Sequence, residues 1–63
     1  MFKILEVVGR SPEGFSEAVK GAVNEVIKSG QKAHYFEVIE QRGLVKDGQF
    51  KEFQVIVKVG VEA

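Results

Sequence analysis

Phe53-Gln54-Val55-Ile56-Val57-Lys58-Val59-Gly60-Val61 is the stretch on which the fold turns. Its β-branched residues and two-residue period mark a strand. Phe53, Val55, Val57, Val59 and Val61 fall on one face, which is wholly apolar. Gln54, Ile56, Lys58 and Gly60 fall on the other, which is mixed. Side chains alternate across a sheet, so one face of this strand is made for burial and the other is not.

Working outward, Asp47-Gly48 is a tight-turn signal, and the strand after it runs from Phe50 to Val61. Before the turn, Ala33 to about Leu44 again has period two: Phe36 and Val38 alternate with Tyr35, Glu37, Ile39 and Gln41. Further back the period changes. Phe15, Ala18, Val19, Ala22, Val23, Val26 and Ile27 follow the i, i+3, i+4, i+7 rule of an amphipathic helix, with Glu17, Lys20, Asn24, Glu25 and Lys28 opposite. Ser29-Gly30 supplies its left-handed stop. Its start is expected at Ser11-Pro12-Glu13: a capping hydroxyl, a proline suited to the first helical position, and a carboxylate at the positive end of the dipole. Phe2 to Val8, ending at Gly9, forms the first strand. The expected fold is α+β: β-α-β-β, a three-stranded antiparallel sheet packed on one helix, in a single domain over residues 1–63.

One helix covers only one side of that sheet. The other side is expected to present Tyr35, Ile39, Ile56 and the stem of Lys58 among Glu37, Gln41 and Gln54, a mixture suited to a subunit interface or a planar ligand. Size points the same way. A chain of 63 residues hides only about 60% of its unfolded surface, and small folds recover stability through disulfides, metals or association. There is no cysteine, which removes disulfides and thiolate zinc sites, so association is the route left.

Nine basic side chains balance nine acidic ones and are interspersed with them, so the footprint of a nucleic-acid binder is missing. No apolar run is long enough for a membrane span, and Met1-Phe2-Lys3-Ile4-Leu5-Glu6 does not read as a signal peptide. A cytoplasmic location is the expectation. His34 is the one imidazole, Ser11 sits in no nucleophile elbow, and Gly9, Gly14 and Gly21 fit neither phosphate-binding glycine pattern. No acid-base-nucleophile set is present, so an enzyme is not expected. Glu6, Glu37 and Glu40 could gather at a symmetry axis and hold Mg²⁺ or Ca²⁺, although single strand carboxylates are more often ion-pair partners.

Val8-Gly9-Arg10-Ser11-Pro12-Glu13, Tyr35-Phe36-Glu37-Val38 and Phe53 to Gly60, with Arg42-Gly43 and Asp47-Gly48 between them, resemble the dodecin family along essentially the whole chain. The resemblance implies a hollow homododecamer built from trimers that binds flavin, FMN or riboflavin, where subunits meet. It implies storage and sequestration of flavin, without turnover. In that family a Trp on strand two stacks on the isoalloxazine, a Gln on strand three bonds its polar edge, and an Arg near the end of strand two helps on the phosphate side. Carried over by position, these are Tyr35, Gln54 and Arg42. Tyr35 departs from the usual indole but keeps a flat ring. Glu62 stands where some members have a basic residue, and Arg10 where a Thr is usual. A carboxylate at Glu62 disfavours FMN more than riboflavin, which lacks the phosphate. The alternative is a dodecin-like oligomer that binds Ca²⁺, Mg²⁺ or another small ligand instead, or a purely structural assembly.

Overall fold

The computed structural model describes all of residues 1–63. Strand β1 spans Phe2–Ser11, helix α1 Phe15–Lys28, strand β2 Ala33–Lys46 and strand β3 Gln49–Glu62. The sheet order is β1-β3-β2, with both pairings antiparallel. The expected β-α-β-β fold with a three-stranded antiparallel sheet on one helix is what the chain adopts. β3 lies in the middle because its valine face is the most apolar surface in the chain.

The core is where β3 meets α1. Val55, Val57, Val59 and Val61 are fully buried against Ala18, Ala22 and Val26, with Leu5, Val7, Phe15, Val19, Val23 and Ala33 packed around them. Alanines on the helix bring its axis close to the sheet. At Gly9 the approach is closest: a Cβ there would stand 2.8 Å from that of Ala22 and collide with the Ala18 carbonyl. Gly9 therefore serves inside β1, as the place where the helix backbone rests on the strand, and does not end it.

The helix starts later than the capping signal suggests. Ser11 is still in β1, paired with Phe53, and its Oγ accepts the Glu13 N–H at 3.0 Å in a local turn. Gly14 is the N-cap and contributes no side chain, and Glu17 is the acid of the first turn. Ladder pairing to β3 outcompetes the cap, because Ser11 gains a strand partner by staying extended. Ile27 also departs from expectation, at 51% exposed. It sits on the last turn, at the edge of the apolar stripe. The stop at Ser29-Gly30 holds: Gly30 has φ 94° and donates to the Ile27 carbonyl at 3.0 Å. Asp47 (φ 55°) and Gly48 (φ 76°) form the positive-φ turn between β2 and β3.

In β2 the alternation does not run straight through. The register shifts between Ala33 and Tyr35, between Val38 and Glu40, and between Leu44 and Val45. The middle shift leaves Ile39 unpaired, and each bulge reverses the facing of the residues after it. Gln41 therefore pairs with Val55 on the helix side, not on the open side as simple alternation predicts. Ile39 occupies the bulge itself, and Glu40 and Arg42 take the open-face positions instead.

Helix and sheet differ sharply in length. The 14-residue strands reach about 46 Å at 3.3 Å per residue, and the longest dimension of the molecule is 46 Å. The 14-residue helix reaches only about 21 Å at 1.5 Å per residue. The β2–β3 hairpin thus projects beyond both α1 and β1 as an uncovered ribbon carrying Leu44, Val45 and Phe50, the last 81% exposed.

Candidate ligand site on the open sheet face

Cross-strand pairing arranges the open face in rows. Arg10, Gln54 and Arg42 form one row; Val8, Ile56 and Glu40 the next. Glu6, Lys58 and Glu37 follow, then Ile4, Gly60 and Tyr35, and finally Phe2 with Glu62 at the end of the sheet. Neighbours in such rows have Cβ atoms about 4.5–5.5 Å apart.

At one end, Arg42 Nε donates to Gln54 Oε1 at 2.9 Å, and Gln54 Nε2 donates to Glu52 Oε2 at 2.7 Å. Arg10 Nε stands 4.0 Å from the same Glu52 oxygen. This relay fixes the orientation of the Gln54 amide: the carbonyl faces the guanidinium and the amino group faces the carboxylate. One N–H and one lone pair of the amide stay free, so it can meet a ligand edge that alternates donor and acceptor. Val8, Glu40 and Ile56 complete a shallow depression with Arg42 and Gln54.

At the other end, the Tyr35 ring lies across Gly60, in contact with the glycine, where any Cβ would collide with its Cε2 and Cζ. Phe2 meets Tyr35 edge-on at 5.8 Å between centroids and His34 at 5.1 Å. His34 Nε2 lies 3.3 Å from Glu62 Oε1. The glycine and the edge-on Phe2 hold a phenol ring, half exposed, as a platform on the sheet.

Arg42 and Gln54 are thus brought together. Tyr35 is not brought to them. It sits opposite Gly60, six residues along β3 from Gln54, which places the two about 20 Å apart at 3.3 Å per residue. Both ends share one sheet face. Glu6 and Glu37 flank Lys58 in one row, and Glu40 is one row away. In one copy no three His, Asp or Glu side chains are grouped to hold a metal ion.

Two contributions escape a reading of the sequence. Glu52 and Arg10 orient Gln54, and only the register reveals it; the weak signal is that Glu52 lies two residues from Gln54 and so shares its face. Phe2 supports Tyr35 from the far strand, which nothing local announces.

The family model described as Dodecin matches residues 1–63. The dodecin of Thermus thermophilus is 37% identical over 60 residues, covering 95% of this chain and 87% of that protein. The solved dodecin of Streptomyces davaonensis superposes with a TM-score of 0.94 at 35% identity, over 100% of this chain and 93% of its own. The dodecin of Streptomyces coelicolor gives 0.93 at 38% identity, over 100% and 90%. Fold, sequence match and the full span of the agreement lead to one conclusion: the chain belongs to the dodecin family.

Proposed function

We propose that this protein stores and sequesters flavin, FMN or riboflavin, in a self-assembled hollow homododecamer in the cytoplasm, without catalytic turnover. Tyr35 is the stacking platform, Gln54 reads the polar edge of the isoalloxazine, and Arg42 holds the Gln54 amide and faces the ligand. The observation that carries the reading is the placement of an aromatic platform and an oriented amide at opposite ends of one open sheet face. Family membership supports the ligand class, and the separation of the two ends supports a site shared between copies.

Surface area supports self-association independently. The isolated chain exposes 4590 Å², whereas a compact monomer of 7.0 kDa is expected to expose about 4,000 Å². The excess is the uncovered hairpin and the open face, where Phe2, Ile4, Val8 and Tyr35 are exposed. A two-stranded ribbon is marginal by itself in water. Copies of the chain that cover ribbon and face remove both problems at once. The absence of turnover is part of the proposal and is supported by family membership.

A titration of riboflavin and FMN with the protein, read by flavin fluorescence, tests this reading. Stacking on Tyr35 quenches emission, and Tyr35→Ala removes most of the quenching. Unchanged emission of both flavins in excess protein would overturn it.

A further inference from the structure

His34 has no part in the site as described, yet its side chain is held in place. It stands in the first bulge of β2, between Ala33 and Tyr35, and has no ladder partner on β3. Two side-chain contacts hold it instead. Nε2 lies 3.3 Å from Glu62 Oε1 at the end of β3, and the ring meets that of Phe2 edge-on at 5.1 Å between centroids. Phe2 in turn meets Tyr35 at 5.8 Å. A line of contacts thus runs from Glu62 through His34 and Phe2 to the ring that lies on Gly60.

Charge sets how firm this line is. A separation of 3.3 Å lies beyond the usual range of N–H···O bonds, so a neutral imidazole gains little from Glu62. An imidazolium gains a charge-assisted contact with the carboxylate and stands close enough to Phe2 for a cation–aromatic attraction. Histidine is the side chain that ordinarily changes charge between about pH 5 and 8. Glu62 is the one carboxylate within 4.0 Å of it. The other charges at this end are Lys32 before β2, Glu37 beyond Tyr35, Lys58 beyond Gly60, Lys3 beside Phe2, and the two chain termini, where the Ala63 N–H donates to the Met1 carbonyl at 3.1 Å. Helix α1 packs on the opposite face of the sheet and brings no charge to this one.

We infer that His34 is a positioning residue, a proton-dependent clasp that braces the Tyr35 platform through Glu62 and Phe2, which rests on the reading of Tyr35 as the platform of the ligand site. With a proton on the imidazole, the end of β3, the bulge of β2 and Phe2 are tied together and the ring is held on Gly60. As the proton leaves, the clasp slackens and the ring gains freedom. A ligand stacked on Tyr35 is therefore held more firmly on the acid side of neutrality. The two side chains are 33% and 53% exposed, so the gain is that of an exposed pair, about two- to fivefold in affinity.

The chain has one tyrosine, one histidine and no tryptophan, so its intrinsic emission reports on Tyr35 alone. Emission of the ligand-free protein, followed between about pH 5.5 and 8, should change in one step, in a range clear of ordinary carboxylates and phenols. His34→Gln and Glu62→Gln should each flatten the step. No step, or a step that survives His34→Gln, would overturn the clasp. A step that survives Glu62→Gln at full size would also overturn it, because the imidazole would then act on the ring by proximity alone. Riboflavin, which carries no phosphate to titrate, should bind the parent about two- to fivefold more tightly at about pH 6 than at about pH 8, and equally at both in either variant. Equal affinity at both values in the parent would overturn the control of the site. If riboflavin binds at neither, the flavin reading fails, and the tyrosine step still decides the clasp.

Discussion

Tyr35 lies flat because residue 60 opposite it has no side chain. The ring fills the space that a Cβ at Gly60 would need, and Phe2 braces it from the neighbouring strand. Gly60→Ala should therefore lift the ring from the sheet; Gly60 is buried beneath that ring, but the Tyr35 side chain is half exposed and can rotate away, so a cost of about 1 kcal/mol is expected. Flavin quenching should drop toward that of Tyr35→Ala. Denaturant unfolding and a fluorescence titration on the same sample separate the two effects. Gln54→Ala takes away one uncharged hydrogen-bonding partner, worth about 0.5–1.5 kcal/mol, so flavin affinity should weaken about two- to tenfold, measured by the same titration. At this scale, Tyr35, Gln54 and Arg42 were legible as candidates through the family pattern, and the register places all three on the open face. Their surroundings were not, because Glu52, Arg10 and Phe2 reach the site only through strand register.

Elements tell a different story about legibility. The periods of α1 and β3 disclosed both elements and their buried faces, since a continuous apolar stripe leaves little choice of packing. Strand β2 disclosed its existence but not its faces. A bulge is one extra residue without a compositional mark, and the one at Ile39 sends Gln41 to the helix side and Arg42 to the open side. The start of α1 was misplaced for a related reason: Ser11-Pro12-Glu13 suits a helix start locally, yet Ser11 has a partner waiting in β3. Packing between elements gives two stability predictions. Val57→Ala deletes two methyl groups from the centre of the core, where the side chain is fully buried. It should cost about 1.5–2.5 kcal/mol, taking about 0.8 per buried carbon plus a cavity contribution. Gly9→Ala drives a methyl group into the Ala18 carbonyl and Ala22. Because backbone must yield there, it should cost about 1–3 kcal/mol or abolish folding. Urea unfolding checks both, and a Gly9→Ala protein as stable as the parent would mean that the helix does not rest on β1 as described.

For the molecule as a whole, sheet and helix are mismatched in length, and the tip of the hairpin, beyond the Ser11–Phe53 pair, has neither β1 nor α1 to lie against. One copy also holds Tyr35 and Gln54, the two ends of the proposed site, about 20 Å apart on a single face. The proposed assembly would resolve both features, and small size without disulfides is the sequence feature that led to it. The separation of Tyr35 from Gln54 could not be read there, because it appears only once pairing places Tyr35 opposite Gly60. A divided site makes a specific prediction. Co-expressing Tyr35→Ala and Gln54→Ala chains should restore about a quarter of the intact sites by random mixing of copies, visible as tight flavin binding that neither variant shows alone.

Size-exclusion chromatography with light scattering, recorded with absorbance in the flavin band, joins assembly and ligand in one measurement. Flavin absorbance should elute with a homododecamer of the 7.0 kDa chain, about 84 kDa. A particle of about 7 kDa, or an assembly that emerges free of flavin after incubation with excess riboflavin, would contradict it.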